Sequence, residues 1–145
     1  MSDNFFLHIS STQSLKKFPE NQPTSFSVQL PRTIYLKPEG SWSVALVDIK
    51  LPVVKNKTAD GFIAINLTNC QLSIVLNSLQ PVLYRVFYSE LSRGRHISPN
   101  ILRYVPYISE TLDTLQFHMK DSQNEKVSFG QGIVHCTLHF VKTVD

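Results

Sequence analysis

Residues 41–52, Ser41-Trp42-Ser43-Val44-Ala45-Leu46-Val47-Asp48-Ile49-Lys50-Leu51-Pro52, decide how the rest of the chain is read. Their apolar side chains fall on both sides of a period of two, with Trp42, Val44 and Leu46 on one side and Ala45, Val47 and Ile49 on the other. A short segment rich in β-branched residues and apolar on both sides is a strand covered on both faces. Pro52 removes a ladder donor and ends it. Asp48 departs from the pattern: an unpaired buried carboxylate is costly, so it should sit near the strand's exposed end or find a partner such as an arginine or a backbone N–H, and it is expected to be paired.

On the N-terminal side, residues 5–10 read as a first strand and 11–23 as a long polar connection. In residues 25–30, Phe26, Val28 and Leu30 alternate with Ser25, Ser27 and Gln29, a strand with one wet face. Pro31 breaks it, 34–36 is a short extended piece, and Pro38-Glu39-Gly40 turns into the central strand. On the C-terminal side, a solvated loop at 55–61 leads to strands at 62–67, 71–76 and 82–88, then to a basic loop at 92–100. Residues 101–108 form a strand that Pro106 confines to an edge. Leu112, Leu115, Phe117 and Met119 run into the polar turn 121–125, followed by a closing strand at 133–141. There Val134, Cys136, Leu138 and Phe140 share one face, and His135, Thr137 and His139 the other. About nine short strands without a long amphipathic helix make an all-β sandwich of two antiparallel sheets. Trp42, Val44, Leu46, Phe117, Leu138 and Phe140 are its expected core.

At 145 residues the chain fits one domain, 1–145, which buries roughly 70% of its unfolded surface and needs no disulfide or metal to make a core. Fourteen basic and eleven acidic residues leave a net charge of +3, and the cations are spread from Lys16 to Lys142. Direct nucleic-acid binding needs a denser stripe and is not expected. Cys70 and Cys136 have no CxxC spacing and read as buried thiols of a reduced compartment. The opening MSDNFFLHIS lacks the basic and apolar regions of a signal peptide, and no run approaches the roughly 20 apolar residues of a membrane helix. Synthesis in the cytosol or nucleus is expected, which leaves the sequons at Asn56 and Asn66 unused.

The motifs of common chemistries are missing: the sequence has no GxSxG, HExxH, GxxxxGK[ST] or strand-to-helix GxGxxG. Gly130-Gln131-Gly132 precedes a strand and reads as a bend. His135 and His139 lie four residues apart, roughly 13 Å along a strand at about 3.3 Å per residue, too far to share a metal ion. His118 lies in a neighbouring segment and is open to pairing with either across a sheet, leaving a protonation-sensitive interface as an alternative to a plain polar face. No enzyme activity, cofactor or metal is expected. Most of the five Tyr and nine Phe sit at alternating strand positions and belong to the core, whereas Tyr104 and Tyr107, flanking Pro106, are expected at a surface.

Two stretches carry a resemblance. Residues 5–52, with Phe18, Pro19, Glu20, Asn21, Phe26, Leu30, Pro31, Gly40, Trp42, Val44, Leu46, Asp48, Ile49 and Pro52, resemble the opening of a protein of Polintons (Maverick elements) and viral relatives such as adintoviruses. Residues 111–140 resemble that family's closing hairpin at Phe129, Gly132, Leu138, His139 and Phe140. The family is that of penton-type minor capsid proteins. The resemblance implies a single jelly roll that pentamerises with itself at the five-fold vertices of an icosahedral virion, beside a major capsid protein with a double jelly roll. It also implies synthesis in the host cytoplasm and assembly in the nucleus.

A ring-closing contact in such an assembly is expected through the loops 55–61 and 92–100, where Lys55, Lys57, Arg93 and Arg95 are placed to meet acidic groups, and through Tyr104 and Tyr107. Two other functions stay open: a cement protein between capsomers, and a carbohydrate-binding sandwich using Tyr84, Tyr104 and Tyr107.

Overall fold

The computed structural model describes residues 3–55, 57, 60–93 and 95–143, with the backbone alone for 92 and 93. Its strands are β1 (Asn4–Ser10), β2 (Ser25–Tyr35), β3 (Trp42–Lys50), β4 (Phe62–Leu67), β5 (Ser73–Val75), β6 (Ser78–Gln80), β7 (Val82–Phe87), β8 (His96–Ile97), β9 (Val105–Tyr107), β10 (Thr111–Asp121) and β11 (His135–Lys142), with a 3-10 turn at Tyr88–Arg93. One sheet has the order β1-β11-β3-β8, with β9 also paired to β3; the other has the order β2-β10-β4-β7. Every pairing is antiparallel. The chain passes repeatedly from one sheet to the other, so strands adjacent in sequence mostly lie in opposite layers. This is a jelly roll, two sheets face to face around one apolar layer.

Alternation fills that layer. Phe26, Val28 and Leu30 come from β2, Ile63, Ile65 and Leu67 from β4, Leu112, Leu115, Phe117 and Met119 from β10, and Cys136, Leu138 and Phe140 from β11. Trp42, Val44 and Leu46 join them from β3, all at most 4% exposed. Phe26 stacks on Phe117 at 5.0 Å, while Phe140 stacks on Phe5 at 5.1 Å and takes the edge of Tyr107 at 5.3 Å.

The central strand differs from its plain period in one place. Along β11, the partners on β3 step from Asp48 at Thr137 to Leu46 at Leu138, which leaves Val47 unpaired. A bulge of one residue inverts the faces beyond it. Ile49, expected opposite Leu46, therefore turns into the same core at 1% exposure. Asp48 comes to rest half-buried on the outer face, lining a shallow groove with His8 and His135. Contrary to the pairing expected of it, its carboxylate has no hydrogen-bond or ion-pair partner among the described residues; the bulge places it on the half-exposed outer face, where an unpaired charge costs far less than in the core.

Strand β4 is buried at all six positions. Ile63, Ile65 and Leu67 face the main core, while Phe62 and Ala64 on the reverse face pack with Val75 and Val82 in a second cluster. The cover is the β5–β6 hairpin, folded over the outside of the second sheet. Residues 71–76, expected as a sheet strand, supply one arm of that hairpin instead.

Pro31 interrupts pairing without ending the strand. On β10 the partners run from Ile34 opposite Leu112 to Gln29 opposite Thr114, so residues 30–33 arch out within a single β2. Because β2 is an edge, the missing N–H costs no ladder bond. The expected closing hairpin is also absent: β10 and β11 lie in different sheets, and 122–134 carries the chain across between them. Burial forces the crossing, since Val127 and Val134 sit in the core at 4% and 0% exposure and tie the connection down.

That connection closes against the segment after β3. Gly130 N–H donates to the Val53 carbonyl at 2.7 Å and Lys55 N–H to the Ser128 carbonyl at 2.8 Å. Gly132, at φ +154°, leaves so little room that an added Cβ would stand 3.1 Å from Cβ of Pro52. Gly132→Ala is expected to lower stability by about 1–2 kcal/mol, read as a urea midpoint. Gly130→Ala, whose Cβ would meet nothing nearer than 3.6 Å, serves as the near-neutral control.

Candidate functional site

The described residues hold no cluster of three or more His, Cys, Asp or Glu fit for a metal ion, and no helix among them is long and apolar enough to cross a membrane. His118 does not meet His135 or His139. It projects from the second sheet, with Nδ1 3.0 Å from Ser25 Oγ, while the other two stand on the outer face of the first. The pairing expected across one sheet fails because β10 and β11 occupy opposite layers.

His139 is the best-held polar group of that outer face. The Tyr104 hydroxyl donates to its Nδ1 at 2.8 Å, and its Nε2–H donates to Asn4 Oδ1 at 3.1 Å. Phe6, 53% exposed, stacks on the imidazole with ring centroids 4.3 Å apart. Beside it His8 Nδ1 lies 3.2 Å from Thr137 Oγ1. Antiparallel register builds this patch, since Phe6 faces His139 and His8 faces Thr137. The result is an ordered aromatic and imidazole surface.

The expected interface residues divide. Lys55, Lys57 and Arg95 are exposed on their two loops; Leu51 N–H, just after β3, donates to the Arg95 carbonyl at 3.0 Å, whereas Lys55 N–H is bonded to the Ser128 carbonyl at 2.8 Å. The Arg93 side chain, with 56, 58, 59 and 94 of the same two loops, lies outside the described residues. Tyr104 is 43% exposed, as expected. Tyr107 is not: it is 1% exposed and packs its ring on Phe140. Alternation along β9 separates the two tyrosines. Tyr107 pairs with Trp42 and shares its inward face, whereas Tyr104 lies before the strand and folds over the outer one.

The thiols are inert in the fold. Cys70 and Cys136 are free and buried. Burial pushes the Cys70 thiol up to about 12; it raises Cys136 as well, with the charge of Asp48 adding to the effect. Only the folded chain holds these thiols neutral, so the unfolded chain loses its protons first as pH passes the ordinary value of 9.0. The Cys70 contribution is whole below that pH and is lost as pH rises from 9 towards 12, by about 1.4 kcal/mol at pH 10. Urea midpoints at pH 8 and pH 10 should show the fall, and Cys70→Ala should reduce it, leaving the share of Cys136.

Two surfaces escaped the sequence. The β5–β6 hairpin presents Leu72, Ile74, Leu76 and Leu79 to solvent at 57%, 77%, 64% and 64% exposure. Along the open rim of the sandwich, a groove of about 460 Å³ runs beside β7, lined by Tyr84, Arg85, Phe87, Ile101, Arg103 and Val105 among others. The guanidinium of Arg85 stands over Phe62 and Phe87 at 5.2 and 5.3 Å from the ring centroids. The alternating leucines and isoleucine of 72–76 followed by Asn77-Ser78 were the available signal of a hairpin, but alternation does not say which face is wet.

No family model and no curated protein matches the chain. Among solved structures, it is similar to the mavirus penton protein, at 9% identity over 96% of this chain and 99% of that one, with a TM-score of 0.46. It is also similar to the Drosophila NLP-core, whose structure is described as giving insight into pentamer formation and histone binding. There the identity is 13% over 97% of this chain and 99% of that one, with a TM-score of 0.38.

Proposed function

We propose that this chain is a non-enzymatic minor capsid protein of penton type, a virion component that closes into a homopentamer at the five-fold vertices of a shell built from a double jelly-roll protein. The observation that carries the reading is where the residues of the sequence resemblance stand within the jelly-roll order. Several of them occupy points where the chain turns, crosses or packs. Asn21 closes the polar loop onto β2, donating from Nδ2 to the Ser27 carbonyl at 2.8 Å and accepting the Ser27 N–H on Oδ1 at 2.9 Å. Gly40 takes φ +84° in the turn before β3, a conformation that favours glycine. Trp42, Leu138 and Phe140 fill the layer between the sheets, and Pro52 touches Gly132 where the last crossing closes.

A rigid sandwich with this much exposed apolar surface is suited to assembly. The carbohydrate-binding alternative loses Tyr107, which the core absorbs, and finds Tyr104 already committed to His139. The test is the native mass of the purified protein. Five copies are expected; a stable monomer or trimer across micromolar concentrations would sink the vertex reading. Imaging of particles with the labelled chain would then show whether it stands at the vertices.

A further inference from the structure

We infer that the β5–β6 hairpin is the arm by which one copy of this chain holds the next, its apolar face seated in the groove beside β7 of a neighbouring copy. The inference rests on the ring-forming reading above and names the surfaces that would form the ring.

The hairpin is anchored. Val75 packs into the second cluster with Phe62 and Ala64. At its base Gln80 accepts from Asn66 Nδ2 at 2.8 Å and donates to Ser78 Oγ at 2.8 Å and to Asn124 Oδ1 at 3.3 Å. What this fixed platform displays is costly to a lone protein in water. Leu72, Ile74, Leu76 and Leu79 together expose on the order of 500 Å² of mostly apolar surface, at the upper range for the largest patch of a monomer. That is more than half of the roughly 800 Å² each partner contributes to an interface of standard size. Leu76 also holds φ +54°, a left-handed turn position that glycine or asparagine takes more easily. An apolar side chain is thus kept on the tip where the backbone favours another residue.

The groove is the matching surface on the same chain. Ile101, 78% exposed, and Phe87, 40% exposed, give it an apolar wall, and β7 is the edge of its sheet, with no neighbouring strand on that side among the described residues. Charge agrees with shape. Arg85 and Arg103 line the groove with one acid, Glu90, whose Oε1 already accepts the Phe87 N–H at 3.0 Å, which leaves the cations in excess there. The turn 121–125 that walls the hairpin carries Asp121 and Glu125 and no cation, and Lys126 just beyond is held by Gln22 Oε1 at 2.8 Å. A patch on one face meeting a different patch on the next copy is heterologous, the type of contact that closes rings.

The experiment mixes two single variants, Ile74→Cys and Ile101→Cys, under mild oxidation. The native thiols are buried and give no background. A disulfide-linked dimer formed only on mixing is the expected result. Cross-linking of Ile74→Cys with itself would show a two-fold contact and overturn the inference. In a second arm, the double variant Ile74→Asp/Leu76→Asp is expected to weaken assembly more than tenfold, with the far-ultraviolet circular dichroism and melting of the protomer unchanged. If the wild type forms rings and the double variant forms the same rings, the hairpin inference alone fails. If the wild type stays monomeric, the ring reading fails with it.

Discussion

Replacing Phe140 with alanine is expected to lower the free energy of unfolding by about 3–5 kcal/mol, against a total of about 5–15 kcal/mol for a domain of ordinary stability. The site leaves little room to collapse. Phe140 is fully buried in β11, which stands between β1 and β3, so backbone ladders fix it from both sides. Phe5 stacks on its face at 5.1 Å, Tyr107 meets it edge-on at 5.3 Å, and Phe5 leans against Trp42 at 5.5 Å. Removing the ring therefore opens a cavity bounded by two other aromatics on two different strands, one of them braced by Trp42. Urea denaturation measures the loss, and Phe140→Leu, which refills most of the volume, should recover much of it. A loss below about 1 kcal/mol for the alanine variant would mean that the aromatic cluster does not hold the first sheet.

Tyr107→Ala carries the second large effect, and the comparison with Tyr104→Ala makes it informative. Tyr107 lies in the core, where burial raises its phenol above the ordinary value and the neighbouring Asn69 side chain opposes that shift. Its truncation is expected to cost about 3–5 kcal/mol, whereas Tyr107→Phe, losing the hydroxyl alone, costs about 1 kcal/mol. Tyr104→Ala removes a half-exposed ring and one hydrogen bond to His139 and should stay within about 1 kcal/mol of wild type. If truncating Tyr107 instead spares stability and abolishes association, the tyrosine belongs to an interface and its place in the core is wrong. Thermal melting and native mass on the same three variants separate the two outcomes.

The faces of the long strands were legible because burial on one side imposes strict alternation, as in Phe26-Val28-Leu30 and Val134-Cys136-Leu138-Phe140. What sequence periodicity could not carry was any event that resets the period. The bulge at Val47 turned Ile49 inward and Asp48 outward, and nothing in so uniformly apolar a stretch marks which residue is the extra one. Layer assignment failed for a related reason. β10 and β11 each read correctly alone, but a connection of more than a dozen residues can close a hairpin or cross a sandwich, and buried Val127 and Val134 decide for crossing only once the core is seen. The interface candidates were chosen by charge and by nearness to Pro106. That rule found exposed Lys55, Lys57, Arg95 and Tyr104, but passed over the hairpin, whose apolar residues looked like those of any other strand.

The position of β11 between β1 and β3 also sets an order in time. Until residues 135–142 have been made, β1 has no partner in its sheet and β3 lacks its longest one. A chain that lacks β11 therefore has the second sheet complete but the first held only by the short β8 and β9 against β3, with Phe5 deprived of Phe140. Contacts spanning nearly the whole sequence make for slow closure and a long exposure to other chains. The first sheet can close only after residues 135–142 have left the ribosome, and until then its open edges are available to other chains.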